Sequence, residues 1–411
     1  VALEGVSVMS AAAGGVARDQ SGLTVLALNS GSSSVKFGLY RVGSSDPETL
    51  LSGEAESIGG SSGKFSAKDA HQRELVSETA AIPSQRDAVV RIGRLLDDFK
   101  MPSPDAVGHR VVHGGPTLRR HCLIDAAVLR QLEAATAFAP LHTPPALSVI
   151  RFAMDHFPGV PQAACFDTSF HADMPLVASA LPIPKALRAE GIQRYGFHGL
   201  SYESIVHQLG SDLPDRAVIA HLGNGASVTA VLHGRSIDTS MGLTPTGGVI
   251  MGTRSGDLDP GVLLYLMREK NLDASGLEEL VDHRSGLLGI SGVGSDMRGL
   301  HEASASSADA RLAIQMFCYS VRKQIAATIA ALDGVDLLVF TGGIGENDAQ
   351  VRADVCAGLG WIGLKLNESR NRSPSNLISD VASRCTVRVL ASNEDAQIAR
   401  HTRELVSQKF P

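Results

Sequence analysis

Apolar residues along this chain gather into short runs broken by glycine-rich turns. VLALN (25–29) is followed by Gly31 and three hydroxyls, Ser32, Ser33 and Ser34, and then by VKFGLY (35–40). Two apolar strands around a tight Gly/Ser turn predict a β-hairpin. The same pattern returns at AVIAHLG (217–223), which turns through Asn224, Gly225 and Ala226 into SVTAVLHG, and turns again at Gly234 into SIDTS. Further strands are predicted at AVGHRVVH (106–113), PQAACFD (161–167) and DLLVF (336–340). Helical periodicity marks about 84–99, 126–138, 146–157, 308–332 and 393–405. The second of these stops before Pro140, where APLHTPP (139–145) reads as a turn. Ser392 or Asn393 can cap the last helix, with Glu394 and Asp395 in its first turn.

Two units, each opening on a glycine-turn hairpin, predict a structural duplication without a sequence repeat of fixed period. Mixed strands and helices in two such units predict an α/β protein with a cleft between lobes. At 411 residues the chain is long enough for two domains, and 44 % hydrophobic residues supply a core for each. A net charge of −6 argues against broad nucleic-acid binding, and 4 % aromatics against stacking on single strands. The five cysteines fall in no metal-binding spacing and read as reduced thiols of a cytoplasmic protein. No apolar run reaches the ~18 residues of a membrane helix. Residues 1–22 are small and polar and read as a flexible leader, with Met9 as an alternative start.

The candidate chemistry concerns anions. The first hairpin turn offers backbone N–H groups, serine hydroxyls and Lys36, a set that suits phosphate and equally suits an ordinary turn. SIGGSSGKFS (57–66) fails as a P-loop, because Ile58 stands at the first glycine and Phe65 at the Ser/Thr, and reads as a solvated loop. TGGIGEN (341–347) follows a buried strand and precedes a helix, where three glycines admit a ligand to the backbone. In HLGNGAS (221–227) the Asn-Gly pair accounts for a hairpin but not for His221 before it. Arg110 lies in the apolar strand GHRVVHGG and Arg254 in the glycine-rich MGTRSGDLDP. Each answers either to an internal salt bridge or to a bound anion; two of them beside three anion-ready turns favour a transferring phosphoryl group. His198 in YGFHG, Asp167 at a strand end and Glu394 at a helix start each have a plain structural reading as well.

Taken together, NSGSSSVKF, GHRVVHGG, APLHTPP, CFDTSFH, RYGFHG, HLGNGAS, DTSMGLTPTGGVIMGTRSGDLDP, TGGIGEN and SNED resemble, in order, the acetate kinase family of the actin/Hsp70/sugar-kinase superfamily. The resemblance runs from Leu23 to the last helix. It implies two actin-like, ribonuclease H-like lobes: residues 23–172 with 394–411 for the acyl substrate and metal, and residues 173–393 for the nucleotide. It implies that Asn29 and Glu394 hold Mg2+, or Mn2+ in its place. Ser32, Ser34 and Lys36 would bind phosphate at the first hairpin, and His221, Leu222, Gly223, Asn224 and Gly225 at the second. Asp296, Met297 and Arg298, with Gly343, Ile344, Gly345, Glu346 and Asn347, would bind the adenosine part. Arg110, His198 and Arg254 would surround the phosphoryl group, Asp167 would support the acyl substrate and metal region, and Val112, Leu141, Phe197 and Pro245 would line a small methyl pocket.

The implied reaction is reversible, from acetate and ATP to acetyl phosphate and ADP, in a homodimer that binds neither nucleic acid nor membrane. Retained Val112 favours acetate over propionate or butyrate, the family's other substrates. A sugar kinase or an Hsp70-like ATPase is the alternative of another class; the former would need Asp167 as a base, the latter a peptide-binding domain. The chain departs from the family at Thr143 (usually Asn), Leu200 and Tyr202 (Thr and His), Thr246-Gly247 (Leu-Glu), Met297 (aromatic) and Ala391-Ser392 (Pro-Thr).

Overall fold

The computed structural model describes residues 22–409 except Ser32 and Leu141. The expected leader therefore lies, Gly22 apart, outside the described residues.

Strand β1 (Leu23–Ser30) is buried along nearly its whole length, and pairs antiparallel with β2 (Val35–Val42) in the register Leu28↔Phe37 and Asn29↔Lys36. The turn closes with Gly31 N–H donating to the Ser34 carbonyl at 2.8 Å. Three antiparallel strands extend the sheet: β3 (Glu48–Glu56), β4 (Gly63–Asp69) and β5 (Glu74–Ala80). The solvated loop expected over 57–66 is thus shorter, because Gly63–Ser66 belong to β4. Phe65 is buried and stacks on Phe37 across the sheet at 5.6 Å. On the other side β6 (Ala106–Val111), β7 (Cys122–Leu123) and β8 (Gln162–Phe166) complete the order β5-β4-β3-β2-β1-β6-β8-β7.

The second sheet is built from β9 (Arg216–Leu222), β10 (Ala226–Leu232), β11 (Arg235–Thr239), β12 (Leu337–Thr341) and β13 (Thr386–Val389), in the order β11-β10-β9-β12-β13. Its directions repeat those of β3-β2-β1-β6-β8: two antiparallel pairings, then two parallel ones. The expected duplication is therefore present as topology.

Both faces of each sheet are covered, so successive residues of a central strand are buried on opposite sides. Leu26 and Leu28 pack with α1 (Gln85–Asp98) and α3 (Thr143–His156), whereas Val25 and Ala27 pack with Ile398 and Ala399 of the last helix. In α1 the apolar residues Ala88, Val89, Ile92, Leu95 and Leu96 follow the helical period, and Ser84 caps its N-terminus. Helix α2 (Ala126–Ala134) is shorter than expected, with 135–138 continuing as a 3-10 turn. Helix α3 takes in Pro144 and Pro145, two of the three prolines of the expected turn, because proline lacks only an N–H that a first helical turn leaves unpaired. In the second sheet Ala217 and Ile219 meet α4 (Gly199–Leu209), while Val218 and Ala220 meet α6 (Ala308–Ala331), which follows α5 (Met297–Ala303). Helix α7 (Gly342–Asn347) starts directly at the end of β12, and α8 (Glu394–Lys409) returns to the first sheet.

Candidate active site

The parallel strands bring chemistry to their C-terminal ends, where α/β sheets bind ligands. Asn29 lies near the end of β1, Arg110 near the end of β6, Asp167 follows β8, and His221 lies near the end of β9. Arg110 grips Asp167 through Nε at 3.0–3.1 Å and through Nη2 at 2.6 Å, and its Nη1 donates to the side-chain carbonyl oxygen of Asn29, Oδ1, at 3.1 Å. The Asn29 amide in turn donates to Glu394 (3.1 Å) and Asp395 (3.0 Å) at the start of α8. The salt-bridge reading of Arg110 is therefore real, and the same guanidinium is tied into a chain of three acids. Burial opposes charge on Arg110, but Asp167 and Glu394 outweigh it and push its pKa up. Burial works to raise Glu394, yet Arg110, His221, Asn29 and Lys36 hold it below its ordinary value. Asp395 is pushed up to about 6 by burial, against the Asn29 hydrogen bond and with Glu394 adding to it. Two neighbouring acids, bridged only by an amide, are hard oxygen donors that a divalent cation would relieve.

Opposite this chain lies the β9–β10 turn, closed by the Gly223 N–H on the Gly225 carbonyl at 3.0 Å. A Cβ at Gly225 would sit 3.0 Å from His198 Nε2 and 3.5 Å from Arg254 Nη1, so both side chains converge on this turn. His198 adopts a left-handed conformation (φ 60°), fixed because the next residue, Gly199, donates its N–H to the Asp167 carbonyl at 2.8 Å. Its ring stacks on His221 at 4.2 Å. Arg254 donates to the Pro245 carbonyl at 3.2 Å and meets His142 Nε2 at 3.4 Å. Burial, with Arg254 and Arg110 adding to it, pushes His142 down to about 4. Burial likewise lowers His198, with His221 and both arginines adding to the effect, and lowers His221. The result is three neutral imidazoles beside two cations; His142 Nε2 accepts from Arg254, and the two guanidinium groups offer donors to an anion.

The other expected residues divide by position. Lys36 is exposed beside Asn29, and Ser34 is partly buried. Val112 and Phe197 pack in one cluster, and Pro245 is buried; Ser32 and Leu141 lie outside the described residues. The Leu222 side chain is buried in the core, so only its backbone faces the turn, and Gly342 (φ 78°) must be glycine because a Cβ would meet the Leu222 carbonyl at 2.7 Å. Gly343 opens onto free space, 3.8 Å from a Cβ at Gly223, which joins the two glycine segments. Ile344 is half-buried, Gly345 is buried, and Asn347 folds back onto the Gly343 carbonyl at 2.9 Å. Glu346 accepts from Gly342 and Ser392 N–H groups, both at 3.0 Å, and so secures the α7 start to the α8 approach. Asp296 caps α5, Arg298 projects into solvent, and Met297 is buried in the core. A cavity of about 400 Å3 lined by Ala353, Cys356, Leu364 and Asn371 contains none of these residues.

Sequence reasoning missed His142 and read Asp395 only as a first-turn acid. His142 is 112 residues from Arg254, and Asp395 looks like any first-turn helix acid.

Among the described residues one further group has metal-ligand composition, His121, Glu203 and His401, and it joins β7, α4 and α8. Phe166 N–H donates to His121 Nδ1 at 3.0 Å, so a neutral His121 carries its proton on Nε2, facing Glu203 at 3.4 Å. That is an ion-pair clamp rather than a metal ligand set. Burial opposes charge on His401, but Glu203, at 2.9 Å, and Glu404 push it up from 6.5 to about 9. A histidine raised on folding contributes stability that is full below its unfolded pKa and is lost as pH rises through the folded one. Tm is therefore expected to fall between about pH 7 and 9.5, and His401→Gln to flatten that slope. A wild-type Tm that stays level across this window would contradict the clamp.

Comparison with known proteins agrees with this architecture. The model of the acetokinase family matches residues 24–400. Acetate kinase from Nitrobacter hamburgensis is 42 % identical over 392 residues, covering 93 % of this chain and 96 % of its own. Among solved structures, a propionate kinase from Francisella tularensis superposes with a TM-score of 0.87 at 37 % identity, covering 93 % of this chain and all of its own. An acetate kinase from Porphyromonas gingivalis gives 0.83 at 36 %, with the same coverage. The fold of two matching sheets thus has its counterpart in these kinases, and the chain belongs to the acetokinase family.

Proposed function

We propose that this chain is an acetate kinase that moves the γ-phosphoryl group of ATP reversibly onto acetate, with propionate as a slower acceptor. The observation that carries the reading is the convergence of Arg254 and His198 on the Gly225 turn, facing the Asn29–Arg110–Asp167 chain. A carboxylate acceptor is already ionised at neutral pH and needs no general base. Phosphoryl transfer depends instead on positioning and on neutralising the equatorial oxygens. Two arginines supply the charge; neutral imidazoles supply N–H donors without repelling them. The glycine segments Gly223–Gly225 and Gly342–Gly345 let phosphates and adenosine approach the backbone.

Glu394 and Asp395, oriented by Asn29, would hold Mg2+, with Mn2+ as a substitute. The ion would supply neutralising charge on the nucleotide phosphates. In this arrangement the Asn29 carbonyl already serves Arg110, so Asn29 acts on the metal through the two acids. Residues 23–172 with 394–409 form the acyl and metal lobe in this reading, and 173–393 the nucleotide lobe. The helix Pro260–Glu269 has no buried residue and exposes Leu264, Tyr265 and Met267, and α6 exposes Tyr319; these apolar surfaces suit a homodimer. Five free cysteines suit the cytoplasm. No helix of the described residues is long and apolar enough to cross a membrane.

The test is ATP turnover with acetate, propionate and butyrate, each acyl phosphate trapped with hydroxylamine. Acetate is expected to lead. Propionate should follow within about 10–200-fold, since a methylene is worth only ~1–3 kcal/mol in an apolar pocket. Butyrate turning over better than acetate would contradict a pocket kept small by Val112, and no hydroxamate from any acid would contradict a carboxylate acceptor.

A further inference from the structure

We infer that Tyr202 and Ser227 form a buried hydroxyl relay that sets the His198 tautomer and keeps its Nε2–H aimed at the Gly225 turn. The inference rests on the reading of His198 as a phosphoryl donor contact, and it concerns a position where this chain carries Tyr in place of the family's usual His.

Ser227 Oγ lies 2.8 Å from His198 Nδ1, and the Tyr202 hydroxyl makes a short hydrogen bond to the same Ser227 Oγ. Tyr202 and Ser227 are both fully buried, so no solvent competes for these protons. Each hydroxyl has one proton to give, so the protons of the whole chain point one way or the other. If they run from Tyr202 towards His198, Ser227 O–H donates to Nδ1 and the imidazole proton sits on Nε2. If they run the opposite way, Nδ1 holds the proton and Nε2 becomes an acceptor. The surroundings of Nε2 select the first direction. It faces the turn onto which Arg254 Nη1 also converges, where an anion needs donors. The neighbouring ring is held in the same manner: His221 Nδ1 lies 2.8 Å from Ser201 Oγ, and Ser392 Oγ donates to Ser201 at 3.0 Å. Burial keeps His198 neutral, so its tautomer, rather than its charge, decides what it offers. Tyr202 never reaches the turn and is a positioning residue.

The test is nitrogen-15 NMR of the imidazoles in the full-length protein, with inorganic phosphate and then ATP added, assigned with His198→Gln. The wild type is expected to show His198 as a single neutral Nε2–H tautomer. Ser227→Ala removes the Nδ1 partner and is expected to give a mixed tautomer population. Its kcat should fall about tenfold, at the low end for losing an outer partner of an active histidine, with KM for ATP within about twofold. Tyr202→Phe preserves ring volume and keeps the experiment decisive if Ser227→Ala fails to fold; it should shift the same signals in the same direction. An Nδ1–H tautomer in the wild type, or unchanged signals in both variants, would overturn the relay. Wild-type kcat in His198→Gln would instead overturn the role assigned to His198, whatever the tautomer.

Discussion

Arg254→Ala is expected to lower kcat by about two to three orders of magnitude, the ~2.7–4 kcal/mol of one charge-assisted transition-state contact. KM for ATP should change little, because the loss falls on the charge that develops during transfer. The surroundings make this the cleaner of the two arginine tests. Arg254 is held by the Pro245 carbonyl, the Met251 sulfur and His142, none of which is an acid left unpaired by its removal. Arg110 differs. Removing it strands the buried Asp167 carboxylate and frees the Asn29 carbonyl, so Arg110→Ala should lose activity and Tm together, since breaking a buried pair costs about 3–5 kcal/mol. Near-normal kcat in Arg254→Ala would return that residue to a structural role.

Glu394→Gln is expected to raise the Mg2+ concentration needed for half-maximal rate at least ~10-fold while Tm barely moves. Two accounts of Glu394 compete. As a first-turn acid it would contribute about 0.3–1 kcal/mol through the helix dipole and nothing to catalysis. As a metal-site acid it would be worth far more to activity than to folding. The geometry favours the second. Glu394 and Asp395 share one amide, within a chain of hydrogen bonds that runs on to Arg110. Removing one charge also relieves repulsion on Asp395, which offsets the lost dipole interaction. A magnesium titration decides between them. An unchanged half-saturation point with a lowered Tm would leave Glu394 as a helix acid.

What could be read ahead of the structure was local. The two hairpins were legible because glycine and asparagine turns between apolar runs have few other uses, and the matching sheet topologies followed from recognising two such openings. Arg110 stood out as a charge inside an apolar strand. The rest depended on tertiary encounters. Strand β5 reads ELVSETA and is largely exposed, with no apolar alternation to announce it. The first turn of α3 was hidden by two prolines that sequence rules treat as breakers. His142 gains meaning only beside Arg254, and Tyr202 only beside Ser227, 25 residues on. Met297 follows a capping aspartate in a helical segment, and such a position points to the core as readily as to a ligand.

We expect a single in-line transfer at the meeting point of the two sheets, with charge and positioning from the protein and no covalent intermediate. The stereochemical course at phosphorus tests this most directly. With ATP made chiral at the γ-phosphorus by oxygen isotopes, the acyl phosphate formed from acetate is expected to show inversion, because one in-line displacement reverses the configuration. Retention would require two successive displacements through a phosphorylated side chain, and would contradict direct transfer between nucleotide and carboxylate.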